Sequence, residues 1–189
     1  MRELSWLNAP LDLRLVDHRK QRFFEPRGLE GFFERGHSAA KTVIGPMRAE
    51  GVDDHVQVQA IAEWSPGSHW SSVESFANVE RTTGNGAHVE GFIDALRAAI
   101  WSTVPECRGE RAEHIREIAT SGLRAVICVR LRDPEFAAPT RDKLKSPQAR
   151  RAVSRVVRPV IQKFLQDHAE LQAHFRNGAA LHATPPEPR

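Results

Sequence analysis

Leu11, Leu13 and Leu15 alternate with polar residues, and a period of two marks a half-buried strand. Residues 21–26, "QRFFEP", can pair with it as a second short strand. Leu29, Phe32 and Phe33 then fall at helical spacing, which predicts a short helix over 28–39. Val56, Val58, Ala60 and Ala62 alternate again over "HVQVQAIAEW", a strand. The cluster "SPGS" (65–68) supplies turn geometry, and "HWSSVESFANV" (69–79) reads as the returning strand of a hairpin. "ERTTGNGAH" (80–88) reads as a flexible loop.

Val89, Phe92, Ile93, Leu96 and Ile100 share one face of a helix over 88–104. A shorter helix follows over 112–121, with Gly122 placed to end it. "LRAVICVRLR" (123–132) is a strand that stops at Asp133-Pro134. Ser146 and Pro147 stand as cap and first residue of a long helix reaching Phe175. Val153, Val156, Val157, Val160, Ile161 and Phe164 form its apolar side, and Pro159 is expected to kink or divide it. The residues from 177 to 189, ending "ATPPEPR", read as a disordered tail. Interspersed helices and strands with an antiparallel hairpin predict one α+β domain over 1–176, a two-layer arrangement with helices on one face of a mixed sheet.

Composition narrows the chemistry. The chain has 189 residues, 40% hydrophobic and 27% charged, and a formal net charge of +3. No apolar run approaches membrane-spanning length, and the first residues lack the apolar core of a signal peptide, so the expected location is the cytoplasm. The chain has no tyrosine, which excludes a tyrosine nucleophile within it. Its sequence contains no phosphate-binding loop of the G-x-x-x-x-G-K-[ST] type, no G-x-G-x-x-G and no G-x-S-x-G. The nine histidines and two cysteines show no zinc-ligand spacing, so no metal site is expected, and Cys128 reads as a buried thiol.

What remains is cationic. Between 141 and 163 stand eight lysines or arginines and one acid. Arg151, Arg155 and Arg158 share a helix face opposite the apolar one and suit a phosphate backbone, although such a face also keeps a helix soluble. The loop "PTRDKLKS" at the end of the 123–132 strand could grip a phosphate through Arg141 or could be a charged connector. The glycines of "TTGNGAHVEGF" could expose amides at a helix start to an anion, or could serve turn and cap geometry alone, with His88 a cap or a core histidine.

"RELSWLN", "SFANVERTTGNGAHVEGF" and "GLRAVICVRLRDPEFAAPTRDKL" together, in that order, resemble the second domain of the B subunit of bacterial DNA gyrase and its topoisomerase IV relative. The resemblance runs from Arg2 to about Phe175 and implies the transducer fold, akin to domain 2 of a small-subunit ribosomal protein. In that family a strand-end loop, Gln-Thr-Lys-x-Lys-Leu, reaches the ATP site and its first lysine meets the terminal phosphate. The matching residues here are Pro139, Thr140, Arg141, Asp142, Lys143 and Leu144. The resemblance therefore implies cofactor contact by Arg141, with Thr140 and Lys143 shaping the loop; DNA contact by Arg151, Arg155 and Arg158 is expected from their shared basic face alone. Arginine stands in place of the family's lysine, proline in place of its glutamine, and Asn85-Gly86-Ala87-His88 in place of Gly-Gly-Thr-His.

The Glu-x-x-x-Asn-x-x-Asp and Asp-x-Gly-x-Gly motifs of that superfamily's nucleotide site do not occur in these residues. ATP and magnesium are accordingly expected only through a partner ATPase domain, with gyrase subunits and DNA as partners and no catalysis by this chain alone. The alternative is a diverged stand-alone module that docks on gyrase or DNA and regulates it.

Overall fold

The computed structural model describes residues 1–36, 42–68, 70–108 and 110–183. The elements run α1 (Arg2–Leu7), β1 (Leu13–Leu15), β2 (Gln21–Phe23), α2 (Gly28–Arg35), β3 (Ile44–Asp53), β4 (Val56–Trp64), β5 (Ser72–Ala77) and β6 (Glu80–Arg81). They continue as α3 (Ala87–Thr103), α4 (Ala112–Thr120), β7 (Leu123–Arg130), α5 (Pro147–Asp167) and α6 (Ala169–Ala183), with a 3-10 turn at Pro105–Cys107. The expected α+β class and mixed sheet are present.

The main sheet has the order β3-β4-β7-β5-β6, while β1 and β2 form a separate two-stranded ribbon. β7 is antiparallel to β4 and parallel to β5. Every residue of β7 from Leu123 to Val129 is buried, as suits a strand covered on both faces. In the sheet β7 lies between β4 and β5, and helices cover both of its faces. The expected hairpin of 55–64 with 69–79 is therefore corrected.

The hairpin partner of β4 is β3, a strand with no clear signal in the sequence. Gly45, Pro46 and Gly51 interrupt its alternation. β3 is an edge strand, where proline costs the sheet no central hydrogen bond, and its register shifts between Ile44 and Met47. Asp54 and His55 make the two-residue turn to β4, both at positive φ (47° and 60°), which suits the twist of a tight hairpin.

One face of the sheet carries the main helical layer. Val56, Val58, Ala60, Ala62 and Trp64 of β4 and Leu123, Ala125, Ile127 and Val129 of β7 pack there with α3, α4, α5 and α6. Trp64 is fully buried, and its indole N–H donates to the Ala119 carbonyl at 3.1 Å. α3 and α5 approach so closely that a Cβ on Gly91 would lie 2.3 Å from the Arg150 carbonyl oxygen. The opposite face is not bare: α1 and α2 add a smaller cluster of Leu7, Leu29 and Phe33 over Ile61, Phe76, Val126 and Cys128. Beside it Arg124 pairs with Glu63 at 2.9 Å, donates to the Phe33 carbonyl and lies 4.0 Å from the Phe33 ring centroid.

The long helix needs three corrections. Ser146 is buried and its side chain does not cap; its hydroxyl accepts the Glu135 N–H at 2.9 Å. α5 is not divided at Pro159, which lies within the helix on its exposed side. The division comes instead at His168, whose Nδ1 donates to the Phe164 carbonyl at 2.8 Å before α6 begins. α6 continues to Ala183, beyond the expected end at 176, because Leu171, Phe175 and Ala179 are buried in the core. Residues 184–189 of the expected tail lie outside the described residues.

Candidate functional site

β7 ends on a brace. Asn78, at φ 57°, receives the Leu131 N–H on its side-chain oxygen (3.0 Å) and returns its amide to the Leu131 carbonyl (3.2 Å). The chain then turns at Asp133-Pro134 and forms a narrow finger. Lys145 N–H donates to Glu135 O (2.7 Å), and Ala137 N–H to Lys143 O (2.9 Å). At the tip Arg141 N–H closes a turn onto Ala138 O (3.0 Å), with Pro139 in the second position, where its fixed φ is already suitable. Arg141 itself has φ 56°, a left-handed conformation that costs a non-glycine residue about 1–2 kcal/mol.

The base of the finger is fused to the start of α3. Leu144 is buried; its N–H donates to Asn85 O (3.1 Å) and its carbonyl accepts from Ala87 N–H (2.8 Å). Gly84 N–H donates to Asp142 O at 2.8 Å. Gly86 has φ 131°, and a Cβ there would lie 2.2 Å from the Leu144 carbonyl oxygen. Only glycine fits, because both the dihedral and the contact exclude a side chain. Of the two roles open to these glycines, turn and cap geometry is the one seen: the Gly84 and Ala87 amides are occupied by the finger. The 80–88 segment is equally not a free loop, since Glu80 and Arg81 pair with Ala77 and Phe76.

A buried polar chain supports the base. Ser75 Oγ and Thr82 Oγ1 lie 2.6 Å apart, and Thr82 Oγ1 is 3.1 Å from His88 Nε2. His88 is fully buried, and burial pushes its pKa down to about 4, so the ring is neutral near pH 7. That setting makes His88 a core histidine, one of the two roles its sequence position allowed.

The tip is different. Thr140, Arg141 and Lys143 are all exposed. The Arg141 guanidinium folds back on its own domain, with Nη1 3.1 Å from Glu80 Oε1 and the cation 5.8 Å from the Phe136 ring centroid. Its side chain still keeps 59% of its surface in solvent. An exposed pair of this kind is worth about 0–1 kcal/mol, so the arginine can exchange partners. The tip projects rather than encloses, and a phosphate bound there would need a second surface to exclude water.

The three arginines of α5 are brought together on one exposed face. Arg155 lies 3.4 Å from Asp53, which partly neutralises it; neighbouring Arg150 is tied to Asp94 at 2.7 Å. Arg151 and Arg158 have no ion pair among the described residues. No cluster of metal-ligating side chains and no helix long and apolar enough to cross a membrane occurs among the described residues. Both cysteines are buried and free, and burial raises each thiol's pKa to about 11. Sequence reasoning missed Asn78, Asn85 and Glu80. The asparagines had a signal, as asparagine tolerates positive φ, but Glu80 had none, because its partner lies 61 residues away in the chain.

Comparison with known proteins identifies relatives of the chain as a whole. The family model described as DNA gyrase B matches residues 28–180. The DNA gyrase B protein of Caulobacter vibrioides is 29% identical over 178 residues, covering 89% of this chain and 22% of that protein. Its counterpart in Eisenibacter elegans is 28% identical over 181 residues, covering 89% of this chain and 38% of that protein. The crystal structure of the gyrase B protein from Myxococcus xanthus superposes with a TM-score of 0.75 at 26% identity, over 92% of this chain and 56% of that one. The 43K ATPase domain of Thermus thermophilus gyrase B, in complex with an aminocoumarin, gives a TM-score of 0.74 at 22% identity, over 96% and 50%. The chain spans about a fifth of the length of its Caulobacter relative. With most of its length matched by the family model, the chain belongs to the DNA gyrase B family.

Proposed function

We propose that this region is the transducer of a type IIA topoisomerase, coupling ATP binding in a partner ATPase domain to DNA strand passage. One observation carries the reading: an exposed arginine stands at the tip of a finger whose base is locked into the central sheet and the start of α3. A rigid base transmits displacement, and an exposed fixed charge is suited to a phosphate bound by another surface. Arg141 makes the phosphate contact, while Thr140 and Lys143 shape the tip. Arginine keeps the positive charge at every physiological pH and can donate two hydrogen bonds to one phosphate. ATP and magnesium are held by the partner, and this chain supplies no catalytic residue of its own.

The exposed face of Arg151, Arg155 and Arg158 serves as an electropositive surface for DNA. Phosphate contacts of this kind release counterions, so duplex affinity falls steeply as salt rises. Replacing the three by alanine lowers that salt slope; duplex binding that ignores both salt and the replacement removes the assignment.

Mixing the chain with a separately produced gyrase-type ATPase domain tests the central reading. The chain alone turns over no ATP. With the partner, hydrolysis rises, and Arg141→Ala lowers the stimulated rate at least about tenfold, the effect of losing roughly 1.4 kcal/mol at the transition state. An unchanged rate in Arg141→Ala overturns the phosphate contact.

A second reading has support of its own. Arg141 is folded onto Glu80, and Pro139 stands at the tip where the family has glutamine. Both features suit a diverged module that docks on gyrase subunits or DNA and regulates them. Binding to purified gyrase that persists in Arg141→Ala, with no effect on ATP turnover, selects this alternative.

A further inference from the structure

Resting on the phosphate-contact reading, we propose that Glu80 is a latch that holds Arg141 against its own domain and must be displaced before the guanidinium meets an anion. The two side chains come from separate parts of the fold: Glu80 from β6 at the sheet edge, Arg141 from the finger tip. Both backbones are fixed. Glu80 pairs with Ala77 within the sheet, and its neighbour Arg81 is anchored by Glu3 and Glu74 and lies over the Phe76 ring at 5.0 Å. Arg141 is fixed by its turn bond to Ala138 and by the finger base below it. Opening the latch therefore needs only side-chain rotation.

The contact is poised to open. Nη1 to Oε1 is 3.1 Å, yet the side chains are 59% and 42% exposed, so water and salt already compete for it. The guanidinium carbon lies over the Phe136 ring at 5.8 Å from its centroid, a contact that keeps the released cation near the tip. A single carboxylate cannot match the charge of a polyphosphate, so a polyphosphate supplied by a partner displaces it. Because the carboxylate competes for the same guanidinium, it lowers the affinity of any anion there by one common factor. For an exposed pair that factor is about two- to fivefold.

Calorimetric titration of the chain with tripolyphosphate at low salt reads the latch. Glu80→Gln binds about two- to fivefold tighter than the parent. Glu135→Gln, which removes an equal charge at the finger base, gains less, and Arg141→Ala loses binding. If Glu80→Gln matches the parent or Glu135→Gln while Arg141→Ala still loses binding, the latch is wrong and the phosphate contact stands. If Arg141→Ala binds as the parent does, the contact itself falls and the latch with it. Nitrogen relaxation at Arg141 Nε, without ligand, gives an independent reading: the side chain is less mobile in the parent than in Glu80→Gln. Equal mobility in the two overturns the latch whatever the titration shows.

Discussion

Leu144 and Arg141 stand three residues apart on one loop, and their surroundings share almost nothing. Leu144 is buried, and both of its backbone polar groups are spent on the start of α3. Arg141 lies in solvent at a left-handed φ with one exposed ionic contact. The base of the finger is specified by packing and hydrogen bonding, so almost any change there is felt by the fold. The tip is specified by charge, so a change there spares the fold and removes whatever the charge does. The contrast separates structural from functional residues within a few positions.

The largest effect is expected at Gly86. Gly86→Ala forces a Cβ onto the Leu144 carbonyl at an unfavourable φ and should cost about 4 kcal/mol or more in chemical denaturation, at the severe end for single changes. Leu144→Ala comes next, with a loss of about 2–5 kcal/mol from lost burial and a residual cavity. If either variant unfolds at the parent's denaturant midpoint, the base is not the rigid element described.

Acid probes the same base. His88 titrates at about 4 in the fold and near 6.5 when unfolded, because burial disfavours the charged ring. The unfolded chain therefore binds the extra proton first. His88's contribution is fully present above pH 6.5 and is lost as pH falls from 6.5 towards 4, by roughly 3 kcal/mol. Glu106 and Asp12 are both held below the ordinary carboxylate range, Glu106 chiefly by a backbone hydrogen bond and Asp12 by its arginine partners, so their losses come at still lower pH. Denaturation midpoints between pH 7 and 4.5 check this, and His88→Gln should flatten the slope. The smallest effect is at the tip: Arg141→Ala should cost less than about 1 kcal/mol, since only one exposed pair is lost and alanine keeps the same left-handed dihedral.

Much of this was legible in the sequence, and the failures have physical causes. The alternation in 56–64, the continuous apolar run of 125–129 and the apolar stripes of α3 and α5 reported their own burial. β3 was hidden because two glycines and a proline, tolerated at a sheet edge, erase its alternation. β4 and β5 do not pair with each other because β7, about sixty residues beyond β4 in the chain, lies between them, a non-local pairing that no short stretch of sequence reports. Pro159 signals a break that the exposed side of α5 does not require. For the finger, the strand's end at Asp133-Pro134 was visible, and so were the cations beyond it. The Gly86–Leu144 lock and the Glu80–Arg141 contact join distant segments, and neither leaves a local pattern.

The most direct measurement is a photo-crosslink from the terminal phosphate. An ATP analogue carrying its reactive group on the γ-phosphate is bound to a gyrase-type ATPase domain, mixed with this chain and irradiated. The account predicts labelled peptides of this chain within residues 139–144, and loss of that label in Arg141→Ala. Label confined to the ATPase domain, or falling on this chain away from the finger, would contradict it.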